Sequence, residues 1–439
     1  MQRILSFEQT PALLVPLRFM LTAPLFALLA AALMFWSGPD MLASRWLPAT
    51  LAFTHLLTIG FLSMTMVGAL IQILQVVAGI EIARPRLTAA IVHTTLAVGC
   101  ILLSLAFLRS EAMLFRLALA CLGTGFLWLL AACGIGVWRD AQPTATVTAI
   151  RFSLAGLAVA LSLGVTAASA FAWPLALPLI ELTNLHAAWG LLAWVGLLTI
   201  GVAYQVVPMF QVTPVYPVFM TRWLSWAILA GLCSWSASRL FPAPVSGWLA
   251  DLASLALCAA FLGFGVQTLR LLAQRKRPPD ATTQFWRTSL LCLIASALLW
   301  LAGEWMPAAA NAAWLPISVG ALFIVGFGCT VVNGMLYKIV PFLIWYHLQH
   351  QLASQGRKAP NVRQIITDRA ASRQFQVQFC AIVLMTAAPI WPEMLARLAA
   401  LAFGISACWL GINLAHAAGI YRTALAEPAP GERRAPVTL

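Results

Sequence analysis

Six histidines are the residues of this 439-residue chain best suited to chemistry: His55, His93, His186, His347, His350 and His416. A neutral imidazole can bind a metal or carry a proton, and an ionisable group in apolar surroundings is costly enough to mark a functional candidate. Two of the six stand out by context. His55 and His186 each sit near the start of an apolar stretch, have a glycine within five residues (Gly60, Gly190), and lead into the same short motif further along. That pattern makes them candidate cofactor ligands; the alternative is a hydrogen-bonded histidine that packs two helices together. His93 and His416 lie in apolar stretches without that context. His347 and His350 are three residues apart and could share a metal ion, but neighbouring Gln and Arg residues point to solvated side chains. The nine cysteines occur singly, with no Cys-x-x-Cys pair, and read as small apolar packing residues.

The motif behind the two histidines occurs three times: Gly68-Ala-Leu-Ile-Gln-Ile-Leu-Gln75, Gly201-Val-Ala-Tyr-Gln-Val-Val-Pro208 and Gly334-Met-Leu-Tyr-Lys-Ile-Val-Pro341. Its first glycines are 133 residues apart both times. A fixed period marks repeated architecture, and a period this long requires each unit to be a bundle of several helices. Gln72, Gln205 and Lys338 occupy the same motif position, so a threefold arrangement would gather them at one depth as a polar path; a Lys near a helix end can instead snorkel to the interface. Pro208 and Pro341 are expected to end their helices. His55 and His186 are not equivalent under the repeat, because a shift of 133 carries His55 onto Ala188.

Composition places these elements in lipid. Hydrophobic residues make up 62% of the chain and charged residues 9%, with a mean hydropathy of +0.90; soluble domains carry about 25% charged residues. Apolar runs long enough to cross a bilayer, ~20 residues each, centre near residues 26, 63, 98, 126, 160, 197, 233, 260, 294, 327, 383 and 407. The predicted fold is all-α: twelve transmembrane helices in three four-helix units, roughly 1–133, 134–266 and 267–399, with the motif closing the second helix of each. Residues 1–425 form one membrane domain and 426–439 a short tail. The first run, Phe19 to Trp36, is longer than a signal-peptide core and lacks a small-x-small cleavage site, so it reads as a retained span. The longest polar loop is expected between spans ten and eleven. With a cytoplasmic N-terminus only Arg45, Arg109, Arg116, Arg239 and Arg397 face outward, leaving 21 of the 26 basic residues inside, a strong asymmetry by the positive-inside rule. The net charge of +13 therefore reports topology and contact with anionic lipid, and requires no nucleic-acid partner. Trp36, Trp46, Trp138, Trp173, Trp286, Trp305 and Trp314 fall near span ends, as an interfacial belt would. Glu181, Asn184, Glu304 and Asn311 fall in or near outer loops, where they shape an entry site or are solvated.

Twelve spans in three four-helix units, with histidines on spans two and six, resemble the catalytic subunit of the haem-copper oxidase superfamily. The stretch from His186 to Pro208 is similar to the sixth helix of its cbb3-type and nitric-oxide-reductase members, which opens with a copper-ligating histidine. The stretch His55-Leu-Leu-Thr-Ile-Gly-Phe-Leu-Ser-Met-Thr-Met-Val-Gly-Ala-Leu looks like the second helix, whose histidine ligates low-spin haem. The NnrS-like haem- and copper-binding membrane proteins are a related group. The resemblance implies a bacterial inner-membrane protein with haem b or copper as cofactor and a membrane or periplasmic redox partner; the charge asymmetry, with twelve spans, puts both termini on the cytoplasmic side. It also implies a histidine pair on span seven and two histidines on the outer half of span ten, and this chain has neither. A copper with one ligand has no defined site, and the low-spin haem loses its second axial histidine. The expectation is a non-catalytic relative with His55 and His186 as ligands. A multi-span carrier or an accessory membrane subunit is the alternative.

Overall fold

A chain this apolar has one way to keep its backbone N–H and C=O groups paired in lipid without closing a barrel, and that is the helix. The computed structural model describes residues 10–76, 79–139 and 141–426. It is 85% helical, with no strand among the described residues. Among the described residues, ten helices are long and apolar enough to span a bilayer: α1 Leu14–Leu42, α2 Pro48–Val76, α3 Pro85–Arg109, α4 Ala112–Arg139, α5 Ala145–Ala172, α6 Leu179–Gln211, α8 Val245–Ala273, α9 Ala281–Trp305, α10 Leu315–Ala353 and α12 Pro392–Ala426. Two more 20-residue helices lie between them, α7 Val218–Ala237 and α11 Asp368–Ala387. The second is the more polar because its first three turns carry Asp368, Arg369, Arg373, Gln374, Gln376 and Gln378. The protein is an integral membrane protein. The tail residues 427–439 lie outside the described residues.

Burial separates the helices into two classes. In α2, α6 and α10, 72%, 67% and 72% of the most apolar window is enclosed, against 28% to 50% in the other seven. These three are the inner helices, and they meet through one another: α10 touches both α2 and α6, and Trp194 of α6 donates its indole N–H to the Ser63 hydroxyl of α2 at 2.9 Å. Around them the outer helices pack in sequence, with α4 against α5, α8 against α9 and α12 back against α1.

Each inner helix contains a widened, π-helical stretch in its interior: Leu56–Ser63, Trp189–Leu197 and Leu322–Cys329. Their first residues are again 133 positions apart. The wide turns leave displaced carbonyls, and side chains take them up: Ser63 donates to Thr58 O and Thr330 to Val325 O, each five residues back, at 2.8 Å. The motif glycines explain how each inner helix seats on its neighbour. A Cβ at Gly68 would lie 2.9 Å from Phe19 Cβ, at Gly201 2.6 Å from Ala149 Cβ, and at Gly334 2.6 Å from Phe285 Cβ. Small residues at such crossings let helix backbones approach, which is where packing energy comes from in lipid.

Three expectations are corrected. Pro208 and Pro341 do not end their helices; α6 continues to Gln211 and α10 to Ala353. One lost backbone bond is outweighed past Pro341, because Leu343, Ile344, Leu348 and Leu352 stay buried against the bundle. The third motif therefore lies inside α10, and the loop before α11 shrinks to residues 354–367. Trp286 does not belong to an interfacial belt: it is 2% exposed, inside the first turns of α9. Trp36, Trp46, Trp138, Trp173 and Trp305 are exposed.

Candidate metal site

The fold brings His55 and His186 together. Both are half-buried near the first turns of their inner helices, and their ring centroids lie 6.1 Å apart with the planes inclined by 20°. Each ring is fixed by a backbone carbonyl. His55 Nδ1 lies 2.8 Å from Leu51 O, one turn back on its own helix, and His186 Nδ1 lies 2.9 Å from Ala160 O on α5. A carbonyl can only accept, so both Nδ1 atoms carry the proton and both neutral rings keep a lone pair on Nε2. Neither Nε2 is hydrogen-bonded to any described residue. This is the tautomer in which a histidine binds a metal through Nε2 while its other nitrogen is held by an outer partner.

The surroundings hold the rings in place. Gly164 of α5 gives His186 its room: a Cβ there would lie 2.8 Å from Cε1 and 3.0 Å from Nδ1. Phe107 of α3 stacks on His55 at 5.4 Å, and Phe115 and Phe171 pack edge-on against Phe107. The Cys100 thiol reaches the His55 carbonyl at 3.5 Å, a carbonyl at the margin of the π-helical stretch. At the mouth, Arg45 from the α1–α2 connection donates to Asn184 Oδ1 of α6 at 2.7 Å and covers the Trp46 ring at 4.4 Å. Gly164, the two carbonyls and Phe107 were not legible beforehand: backbone acceptors have no residue signature, and a glycine in an apolar run has many uses.

The centroid separation of 6.1 Å matches the one geometry in which both rings would bind a single ion in line between their Nε2 atoms, at ~2.0–2.1 Å from each nitrogen. Haem iron or copper would each accept imidazole nitrogen, and His55 and His186 are the residues that would hold it. No group of three or more His, Cys, Asp or Glu able to hold a metal occurs among the described residues. Two cavities, of about 410 and 400 Å³, lie between α4 and α5 (Leu130, Trp138, Ala158) and between α7 and α8 (Trp223, Gly263, Gln267), and no histidine lines either.

The remaining candidates have separate surroundings. His93 Nε2 lies 2.9 Å from Thr22 Oγ1, with Phe19 edge-on to its ring, the packing arrangement. His416 and His350 are exposed, and Tyr346 packs against both His347 and His350. Glu181, Glu304 and Asn311 are exposed. No hydrogen bond joins Gln72, Gln205 and Lys338. Gln72 Oε1 is buried without a partner among the described residues, whereas Lys338 pairs with Asp280 Oδ2 at 2.5 Å. Asp280 also caps α9, accepting from Thr283 N at 3.0 Å, and Thr283 in turn donates to Gln211 Oε1 at 2.7 Å. The end of α6, the start of α9 and the third motif are thus tied together.

Burial pushes the Asp280 carboxyl up, but the hydrogen bond and charge of Lys338, with Thr283, outweigh it and hold the group below the usual carboxylate range. A depressed folded-state value stabilises the protein above the unfolded value, and that stability is lost as pH falls through the folded one. Thermal melts in detergent should therefore show wild type more stable than Asp280→Asn by about 1 kcal/mol at neutral pH. The gap should close below about pH 4, in the carboxylate range. A gap that is constant down to pH 3 would show that the ion pair contributes nothing.

No protein-family profile matches this chain, and no curated protein matches its sequence.

Proposed function

We propose that this protein is a haem-copper-oxidase-like membrane protein that holds one redox-active metal centre, haem iron or copper, between His55 and His186, and does not reduce oxygen or nitric oxide. The observation that carries the reading is the pair itself. Two histidines 131 positions apart in sequence, on different inner helices, meet at 6.1 Å in matching tautomers, each held by its own carbonyl. Chance packing of two histidines needs neither the shared tautomer nor the Gly164 cradle. Bound there, iron or copper would supply one-electron transfer or the binding of a diatomic gas. The chain's own part is to keep both Nε2 lone pairs available, to fix the ring planes, and to shield them with Phe107 and the Arg45–Asn184 bridge.

The architecture we propose is twelve spans in three four-helix units about a pseudo-threefold axis, in a bacterial inner membrane with both termini cytoplasmic. Supporting it are the motif and the π-helical stretches, each recurring at 133 residues, and the repeated contact of one unit's last helix with the next unit's first. The charge asymmetry of the loops supports the orientation.

The test is a visible spectrum and metal analysis of protein purified from membranes of cells supplied with haem precursor and copper. One centre per chain is expected, as a Soret band or as copper, with no consumption of oxygen or nitric oxide above background when a reductant is added. Colourless, metal-free protein after such loading sinks the reading; sustained turnover abolished by His186→Ala sinks its non-catalytic half.

A further inference from the structure

Along one face of α8 the side chains shrink to Ala256, Ala259, Ala260 and Gly263, all of them exposed or half-buried. Small residues on a span normally mark the place where two helices cross. The crossing of α7 and α8 lies elsewhere: a Cβ at Gly231 of α7 would sit 2.9 Å from Leu257 Cγ. Nothing lies within 4 Å of a Cβ built on Gly263. From the crossing toward the start of α7 and the end of α8, the two helices enclose a wedge of about 400 Å³. Phe219 and Trp223 of α7 form one wall and the small residues of α8 the other. The connection before α7 fixes the shape. Tyr216 donates to Thr268 Oγ1 of α8 at 3.0 Å, since Thr268 spends its own proton on Phe264 O.

Polarity is confined to one end of the wedge. Gln267 and Arg270 line it in the last turns of α8. Arg222, in the first turns of the antiparallel α7, lies at the same end with its guanidinium 5.2 Å over the Trp223 ring. Arg270 is exposed, and its side chain makes no hydrogen bond or ion pair with any described residue. Neither helix answers these charges: α7 has no acidic residue, and the one on α8, Asp251, is 19 positions from Arg270, at the far end of the helix. The apolar part, Ala256 to Gln267, rises ~16 Å along α8. That is half of the ~30 Å hydrocarbon core, the depth of one leaflet.

We propose that this wedge seats one anionic phospholipid of the phosphatidylglycerol class, with an acyl chain along Ala256–Gly263 and its phosphate on Arg270. The guanidinium fork matches phosphate because it donates two parallel hydrogen bonds, and Gln267 offers an amide N–H to the glycerol and ester oxygens. Basic pockets between membrane helices favour anionic headgroups. A zwitterionic headgroup would bring its ammonium group against Arg222 and Arg270, with no carboxylate on α7 or on this end of α8 to receive it. The inference needs α8 to lie in the bilayer and depends on neither the metal centre nor the three-unit arrangement, so either can fail alone.

The test uses the full chain, purified in detergent and stripped of lipid, with dioleoyl-phosphatidylglycerol, dioleoyl-phosphatidylcholine or inorganic phosphate added at equal concentration. Native mass spectrometry counts bound lipid and chains per particle, and a thermal melt reads Tm. One phosphatidylglycerol per chain is expected, bound about 5-fold more tightly than phosphatidylcholine and raising Tm; inorganic phosphate alone should leave Tm unchanged. Arg270→Gln should remove the preference between the two lipids. Gly263→Leu fills the wedge without touching the charge, and should remove the bound lipid with little change in the Tm of the lipid-free chain. Equal binding of the two lipids by the wild-type chain overturns the proposal. A preference that survives Gly263→Leu but not Arg270→Gln overturns the wedge as the seat and leaves surface charge alone, and one that survives both variants overturns the location. Dimers that Gly263→Leu disperses, with no preference for phosphatidylglycerol, give the wedge to a second copy of the chain and also overturn the proposal.

Discussion

Alanine at either His55 or His186 is expected to remove the bound metal completely, and alanine at both to do no more than either alone. The two Nε2 atoms are the whole histidine donor set at the α2–α6 mouth, and no cluster of three potential ligands exists among the described residues to take over. A single remaining imidazole holds a metal ion too weakly to survive purification. We expect affinity to fall more than ~100-fold, at least ~2.7 kcal/mol, for each variant. Groups that act as one unit give strongly non-additive losses, so the double variant should match the singles. The competing account makes the two rings packing residues that satisfy the Leu51 and Ala160 carbonyls. It predicts the reverse: lowered melting temperatures that add between the two sites, and a metal content that does not change. Metal per chain and Tm measured on the same four preparations separate the two accounts.

The pairing also shows how far the sequence could be read. Depth along a span is legible, because apolar length and flanking charge set it, and both histidines were expected near the same end. Their meeting depended on α2 and α6 being adjacent inner helices, and the 133-residue period was the only sequence sign of that. The period was detectable because each unit reuses a glycine where two helices cross. The π-helical stretches were not, since Leu56–Ser63 and Leu322–Cys329 are apolar runs with one or two glycines and no local signature of a wide turn. Proline was misread through a rule from soluble helices: at Pro341 the helix goes on because its far side stays packed. Lys338 stands out in the third motif as the one charged residue at its position, but its partner Asp280 is 58 residues away and belongs to a helix cap. The polarity of α11 was visible in its glutamines, yet what Gln374 and Gln378 bond to, Ser406 and Thr330, is supplied by two other helices.

The largest stability effects should come from the crossings that the period encodes. Leucine at Gly68, Gly201 or Gly334 is expected to cost about 2–3 kcal/mol or more, the price of overfilling a close-packed contact. At each of these sites even the first carbon of a side chain collides with another helix. The distances are 2.9 Å to Phe19 Cβ and Pro16 O at Gly68, and 2.6 Å to Ala149 Cβ and Phe285 Cβ at the other two. The blocking atoms are Cβ and backbone atoms, which cannot rotate away as a side-chain tip can, so the helices must part. Gly263 and Gly419 are the controls: both are helical, and nothing lies within 4 Å of a Cβ built on them. There, Gly→Ala should stabilise by up to ~1 kcal/mol through helix propensity alone, and Gly→Leu should cost little. The sign therefore reverses between crossing and open glycines of the same chain. The three-unit reading adds a second condition, that the three motif glycines behave alike, since each seats an inner helix on the first helix of its own unit. Unfolding of the purified variants in graded denaturing detergent measures both conditions. If leucine at the motif glycines is tolerated as well as at Gly263, these contacts do not hold the fold. If one of the three is sensitive and the others are not, the repeat survives in the sequence while one unit alone keeps the packing together.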